Sequence, residues 1–171
     1  DVNGRRPFKN ANSKSMQLTD ILTLSRSLAN LSGGSKKRVL ELTAEFISHE
    51  SMLDAEDIYQ GLINRERLGS TGIGYGVAIP HCRLPSLNES ETRGYLIQLS
   101  QGVDFDAIDG QPVELLFVLL VPESTNQVHL NLLAQLADCF SKEQFRRNLQ
   151  MAVGRDELYE IAMSTFCSKL I

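Results

Sequence analysis

The stretch that decides the fold is Gly69-Ser70-Thr71-Gly72-Ile73-Gly74-Tyr75-Gly76-Val77-Ala78-Ile79-Pro80-His81. It begins as a glycine-dense loop, continues as a short apolar strand at residues 77–79, and ends in a proline and a histidine. Proteins that mix helices and strands place many of their functional groups in loops at strand ends. We therefore expect a functional site at His81.

Two helices are predicted upstream of this loop. Ser35 is a suitable N-cap for a helix that runs to about His49, because apolar residues recur there at helical spacing. Asp54 is a suitable N-cap for a second helix. This helix is predicted to end at Gly69, because glycine commonly terminates helices.

Two strands are predicted downstream. Residues 95–99 form the first, and the turn-rich segment 104–110, with three aspartates as turn formers, separates it from the second. Residues 113–121 are almost wholly apolar, which is typical of a strand covered on both faces.

Three further helices complete the pattern. They are predicted to begin near Asn126, at Ser141, where Gln144 completes a possible capping box, and at Asp156. Helices thus precede, separate and follow the strands. This order predicts a three-layer α/β/α sandwich with a central mixed β-sheet.

The composition narrows the function classes. The 171 residues carry a formal net charge of −4, which disfavours a nucleic-acid partner, and contain no apolar run long enough for a membrane span. The three cysteines are widely spaced, which fits a reducing compartment and gives no metal-ligand pattern. We therefore predict a cytoplasmic protein with no metal, no cofactor and no membrane insertion.

The first fifteen residues differ from the rest. They are rich in Asn, Lys and Ser and basic, with Arg5, Arg6, Lys9 and Lys14 against Asp1. An amphipathic pattern begins at Met16. We interpret residues 1–15 as an upstream extension or expression remnant and 16–171 as a single domain; a basic binding arm is the rival interpretation.

Phosphoryl chemistry is a physical possibility at His81. A neutral imidazole is a competent nucleophile near pH 7, since its unperturbed pKa is about 6.5. Phosphorylation would add roughly two negative charges and three acceptor oxygens, which need donors. The backbone amides around Ser70, Thr71, Gly72, Gly74 and Gly76 are candidate donors, because glycines allow amides to converge on an anion.

A cation also lies nearby in the sequence. Arg65 and Arg67 precede the glycine loop, and an arginine fork matches phosphoryl oxygens well. The loop is neither a dinucleotide fingerprint nor a nucleotide P-loop. From the residues alone, phosphoryl transfer and an incidental surface histidine stay equally open. A Cys82–His129 hydrolase is a third alternative, although Cys82 itself should point away from its neighbour His81.

The segment from Gly69 to His81 closely resembles the motif around the phosphorylated histidine of IIA proteins of the bacterial phosphotransferase system, in the fructose–mannitol–nitrogen class. Residues 105–113, 119–122 and 129–137 resemble the same family, and the resemblance runs from about residue 18 to 162. Within the class, the chain is most similar to the nitrogen-branch IIA protein.

The resemblance implies roles for single residues. It places the phosphorylated histidine at His81, a second active-site histidine at His129 and the active-site arginine at Arg65. Cys82 departs from the pattern, because many relatives carry glycine there. We expect the cleft at His81 to be mildly polar, with Ile73, Val77 and Tyr75 nearby.

The resemblance also implies partners. A histidine phosphocarrier protein would donate the phosphoryl group to His81. A nitrogen-branch protein would then regulate partners, such as potassium-transport components or sensor kinases, according to its phosphorylation state. The alternative is a IIA protein that passes phosphoryl groups to a sugar-transporting permease.

Overall fold

Helices cover both faces of a mixed β-sheet in the computed structural model, which describes residues 16–88, 90–124 and 127–168. The segment 1–15, interpreted above as an extension, lies outside the described residues, as does Asn126. Six α-helices occur among the described residues: α1 Leu18–Ile21, α2 Lys36–Ser51, α3 Ala55–Leu68, α4 Gln127–Phe140, α5 Glu143–Met151 and α6 Gly154–Ser168.

The sheet has six strands within the described ranges. They are β1 Ser27–Leu31, β2 Gly72–Gly74, β3 Val77–Ala78, β4 His81–Leu84, β5 Arg93–Val103 and β6 Val113–Pro122. Strand β6 is central: it pairs antiparallel with β5 on one side and parallel with β3 and then β4 on the other. Strand β1 adds parallel to β5, and β2 adds antiparallel to β3.

Two hydrophobic cores confirm the predicted three-layer sandwich. One core packs α1, α4, α5 and α6 against one face of the sheet, and the other packs α2 and α3 against the opposite face. Successive residues of β6 alternate between them, since Leu119 belongs to the first core and Leu120 to the second. Burial on both faces explains the apolar run predicted as a strand.

The predicted helix starts at Ser35 and Asp54 are confirmed. The Ser35 hydroxyl accepts a hydrogen bond from the Arg38 amide at 3.2 Å, and the Asp54 carboxylate accepts one from the Asp57 amide at 3.1 Å. Helix α3 ends where predicted, with Gly69 as its C-cap. The Ser35 and Asp54 side chains satisfy amide donors that a helix N-terminus otherwise leaves unpaired.

Two predicted helix starts are wrong. The Ser141 hydroxyl donates to the Asp138 carbonyl at 2.6 Å, so it closes α4 instead of capping the next helix. Helix α5 begins at Glu143, and its N-cap Lys142 makes no side-chain capping bond. Helix α6 begins at Gly154, two residues before the predicted Asp156, which lies in its first turn.

Candidate functional site

His81 begins a strand just after a break between two short strands that pair with the same side of β6. Strand β3 ends at Ala78, and β4 begins at His81 on the same side of β6, opposite Leu119. Pro80 fills part of the break, and its carbonyl accepts a hydrogen bond from the Leu119 amide at 2.9 Å. Proline has no N–H to donate, so a gap between two short strands tolerates it.

Both ring nitrogens of His81 have partners. Nδ1 lies 2.7 Å from the Ile79 carbonyl oxygen, and the Nε–H of Arg65 donates to Nε2 at 3.2 Å. A carbonyl accepts hydrogen bonds and a guanidinium donates them. This pairing assigns the proton to Nδ1 and leaves the lone pair, and hence the nucleophilic position, on Nε2.

Arg65 reaches His81 from the last turn of α3. Its NH1 group donates to the Gly69 carbonyl at 2.7 Å, which holds the guanidinium at the helix end. The structure therefore brings together Arg65 and His81, as the resemblance implied. A cation in this position can stabilise charge on a phosphoryl group.

His129 faces the ring of His81 from α4. The two ring centroids are 5.0 Å apart, and the planes are tilted by 52°. His129 is buried, and neither of its ring nitrogens has a hydrogen-bond partner among the described residues. Buried polar atoms are nearly always paired, so this ring is available to a group placed beside His81.

The surroundings keep both imidazoles neutral near pH 7. Burial lowers the pKa of His81, the Ile79 carbonyl partly opposes this change, and the charge of Arg65 adds to it. Burial, the His81 ring and the charges of Arg83 and Arg65 lower the pKa of His129 to about 4. Neutral His81 retains the lone pair that nucleophilic attack requires.

A cavity of about 360 Å³ opens onto these side chains. Its lining consists of Gly61, Asn64, Arg65, Leu68, His81, Cys82, Arg83 and His129. Arg83 is not among the site residues predicted from the sequence. A strand repeats its facing every second residue, so a cation two residues after His81 was a signal that could have found it.

The glycine loop forms a hairpin instead of the predicted phosphoryl-binding loop. Strands β2 and β3 are joined by a turn at Tyr75 and Gly76, whose φ angles are 60° and 81°, as in a two-residue turn of type I′. The Thr71 amide donates to the Glu66 carboxylate at 2.9 Å, and the Gly72 amide donates to Ser70 Oγ at 3.0 Å.

The lining of the cavity also argues against a phosphoryl-binding role for the glycine loop. It includes none of the loop residues predicted to bind the phosphoryl group: Ser70, Thr71, Gly72, Gly74 and Gly76. Ser70 instead donates to the Phe105 carbonyl at 2.6 Å. The loop anchors itself to the protein and does not converge on His81, so the geometry does not support its predicted role as anion ligand.

The prediction that Ile73, Val77 and Tyr75 lie beside His81 is also wrong. Val77 is fully buried in the core, and Ile73 and Tyr75 do not line the cavity. Tyr75 borders a separate cavity of about 500 Å³, in which its ring lies 4.5 Å from the Arg146 guanidinium carbon. The cavity at His81 is instead lined by the apolar side chain of Leu68, 84% of whose surface is exposed.

Cys82 points away from His81, as predicted. It belongs to the core on the α2–α3 face, and its Sγ would lie 2.8 Å from a Cβ built at Gly61. Burial raises the pKa of the Cys82 thiol to about 12, so the thiolate is scarce at neutral pH. His129 extends from a helix on the opposite face, and the geometry therefore argues against the hydrolase alternative.

The family model of the phosphoenolpyruvate-dependent sugar phosphotransferase system, EIIA 2, matches residues 20–164. The chain belongs to this EIIA 2 family. This membership confirms the resemblance that the sequence motifs indicated. None of the helices within the described residues is long and apolar enough to cross a membrane.

Relatives within the EIIA 2 family refine the assignment. A nitrogen regulatory protein of Pseudomonas aeruginosa is 47% identical over 149 residues, which cover 86% of this chain and 96% of the relative. The structure of nitrogen regulatory protein IIA-Ntr from Neisseria meningitidis matches with a TM-score of 0.76 and 41% identity, over 83% of this chain and 96% of the other. The chain is therefore a nitrogen-branch member.

A fructose-specific component is also similar. The fructose-specific EIIABC component of the Bacillus subtilis phosphotransferase system is 31% identical over 148 residues. The match covers 85% of this chain and 23% of that longer protein. The EIIA 2 fold thus occurs both in regulatory proteins and within a sugar-specific component.

Proposed function

We propose that this nitrogen-branch protein accepts a phosphoryl group on Nε2 of His81 from a histidine phosphocarrier protein and regulates partner proteins according to its phosphorylation state. The observation that carries the proposal is the placement of a neutral His81 between Arg65 and His129. The proposal assigns this activity to the cytoplasm.

The chemistry follows from the two nitrogens of His81. The Nε2 lone pair attacks the phosphorus of the donor phosphohistidine in line, forming a new P–N bond while the bond to the donor imidazole breaks. The positive charge that develops on the ring is stabilised by the Nδ1–H bond to the Ile79 carbonyl. No proton has to leave His81 during the step.

Three side chains stabilise the transferred group. Arg65 and Arg83 supply positive charge, and neutral His129 donates one ring N–H to a phosphoryl oxygen. Positioned donors in a partly buried site are the main source of transition-state stabilisation in phosphoryl transfer. By donating this bond, His129 also avoids the cost of an unpaired buried N–H group.

Labelling from phosphoenolpyruvate through the upstream transferases tests the site. We expect His81→Ala to abolish the label when the product is kept at alkaline pH, where phosphohistidine survives. His49→Ala is the matched control, because His49 is an exposed histidine at the end of α2, and it should label normally. Full labelling of the His81→Ala protein would rule out the proposed site.

Regulation follows from the charge added at the cavity. A partner that covers it must desolvate roughly two negative charges in the phosphorylated form. A difference of about 3 kcal/mol changes affinity more than a hundredfold, so we expect partners such as potassium-transport components or sensor kinases to prefer the unphosphorylated form. Calorimetry with the unphosphorylated protein, the phosphoprotein and His81→Glu measures this difference.

The second candidate is transfer to a sugar-transporting permease, which the similarity to the fructose-specific component favours. Equal binding of partners to all three forms, together with passage of label to a permease IIB domain, would support this candidate. Retention of the label on His81 in the presence of such a domain would support regulation.

A further inference from the structure

Glu66 is a buried carboxylate beside the site. Its side chain is 3% exposed and accepts three hydrogen bonds, from the Thr71 amide at 2.9 Å, the Thr71 hydroxyl at 2.6 Å and Lys36 Nζ at 3.2 Å. A buried charge persists only when such partners compensate for its lost hydration. Glu66 therefore fixes the backbone at Thr71 firmly.

The first connection from Thr71 leads to one nitrogen of His81. The Thr71 carbonyl accepts the Ile79 amide at 3.0 Å, and the Ile79 carbonyl lies 2.7 Å from Nδ1 of His81. The position of this last carbonyl decides where the Nδ1 proton points. A shift of Thr71 would therefore be transmitted to the ring through a single residue.

A second connection leads to the other nitrogen. Arg65 directly precedes Glu66, and its NH1 group donates to the carbonyl of Gly69, in the turn between Glu66 and Thr71. The Nε–H of Arg65 then donates to Nε2 of His81 at 3.2 Å. The same turn therefore fixes the position of the Arg65 guanidinium, which contacts His81.

We propose that Glu66 is a positioning residue, which holds Thr71 and thereby fixes both hydrogen bonds of the His81 ring. It acts through Thr71, Ile79 and Arg65 and does not line the cavity. Its predicted effect on the transfer rate rests on the proposed function, whereas its effect on the ring can be measured without a phosphoryl donor.

The first test compares Glu66→Gln with the unchanged protein by nitrogen-15 NMR of the histidine rings. We expect the unchanged protein to hold the proton of His81 on Nδ1 and the variant to populate both tautomers. Phosphoryl transfer should slow at least about tenfold, because small misplacements of a reacting group are costly. Gln keeps the size of the side chain but loses the charge that Lys36 pairs with.

A second variant separates positioning from charge. Thr71→Val keeps the carboxylate but removes the 2.6 Å bond, so a mixture of tautomers there cannot come from a lost charge on Glu66. Thr43→Val is the matched control: Thr43 is fully buried in α2, and its hydroxyl has no partner among the described residues. We expect this control to keep one tautomer and the normal rate.

The outcomes separate this inference from the proposed function. A single Nδ1–H tautomer and an unchanged rate in folded Glu66→Gln and Thr71→Val would overturn the positioning role. Where Glu66→Gln does not fold, the Thr71→Val result alone decides. Failure of the unchanged protein to accept label at His81 would overturn the proposed function, yet the tautomers would still test the role of Glu66.

Discussion

At the scale of single residues, Arg65 determines which nitrogen of His81 carries the lone pair. A guanidinium stays protonated and donates only, so the nitrogen that it contacts must carry the lone pair. The carbonyl of Ile79 makes the complementary assignment on Nδ1. The orientation of the His81 ring thus depends on one donor, Arg65, and one acceptor, the Ile79 carbonyl.

The role of His129 can be tested by its removal. We expect His129→Ala to fold, because its ring nitrogens make no hydrogen bond among the described residues and Leu132 and Leu136 hold α4 in the core. Loss of a charge-stabilising donor typically costs about 2–4 kcal/mol in a transition state. Rapid-quench labelling should therefore show transfer slowed by a factor of about 30 to several hundred; an unchanged rate would make His129 a packing residue.

The sequence identified the principal site residues by different routes. His81 followed from its place after a loop and a strand, and Arg65 was one of two candidate cations before that loop. Only the family resemblance selected Arg65 over Arg67 and joined His129 to the site. The geometry does not support the predicted anion-binding loop because several of its amides have acceptors inside the protein, both near in sequence, at Glu66 and Ser70, and far from it. Asp109, which binds the Tyr75 amide at 2.9 Å, lies 34 residues away in the chain.

At the scale of elements, α3 packs very closely on β4. A Cβ built at Gly61 would lie 2.8 Å from Cys82 Sγ and 3.3 Å from Cys82 Cβ, closer than packed atoms normally approach. Glycine in a helix interior costs about 1 kcal/mol relative to alanine. The Cys82 side chain therefore occupies the space that a side chain at position 61 would need.

This packing predicts that the effect of Gly61→Ala on the free energy of unfolding has opposite signs with cysteine and with glycine at position 82. Gly61→Ala should lower the free energy of unfolding by about 1–2 kcal/mol, because overpacking outweighs the gain in helix propensity. In a Cys82→Gly background, the same change should raise it by about 1 kcal/mol. Urea denaturation of the four proteins measures the coupling; additive effects would show that the two residues are independent.

Local capping and hydrophobic patterns were sufficient to predict α2, α3 and β6. Strand β1 was not predicted, because it is short and gains its stability from parallel pairing with the distant β5. The predicted box at Ser141 failed because its hydroxyl has a competing acceptor in the preceding turn. Local chemistry thus located element ends only where no tertiary or neighbouring partner intervened.

At the scale of the whole molecule, the site lies where the two helical layers meet at a sheet edge. Arg65 comes from α3 on one face and His129 from α4 on the other, and His81 lies on the strand between them. Neither layer could form the site alone. Folding of the complete sandwich is therefore a condition for assembling the three side chains.

The buried histidines also predict how stability depends on pH. The pKa of His129 is about 4 in the folded protein and about 6.5 in an unfolded chain, so only the unfolded chain binds a proton between these values. The free energy of unfolding should therefore fall as the pH drops through this range, by about 2 kcal/mol between pH 7 and pH 5 for His129.

Urea denaturation at pH 7 and pH 5 measures this dependence. The lowered pKa of His81 contributes in the same direction. His129→Ala should reduce the loss of stability between the two pH values, because it removes one of the two groups. An identical loss in the variant would contradict the assignment of a neutral, buried His129.

The hydrogen bond from Arg65 to Nε2 has a further consequence, for timing. Before any donor docks, the Nε2 lone pair that would attack phosphorus under the proposed function already accepts the Arg65 Nε–H. Under the proposed function, a docked donor would displace the guanidinium before reacting, because its phosphoryl oxygens offer that guanidinium a stronger, charged acceptor. By this proposal, the same arginine would cover the nucleophile of His81 at rest and uncover it when a phosphoryl donor docks.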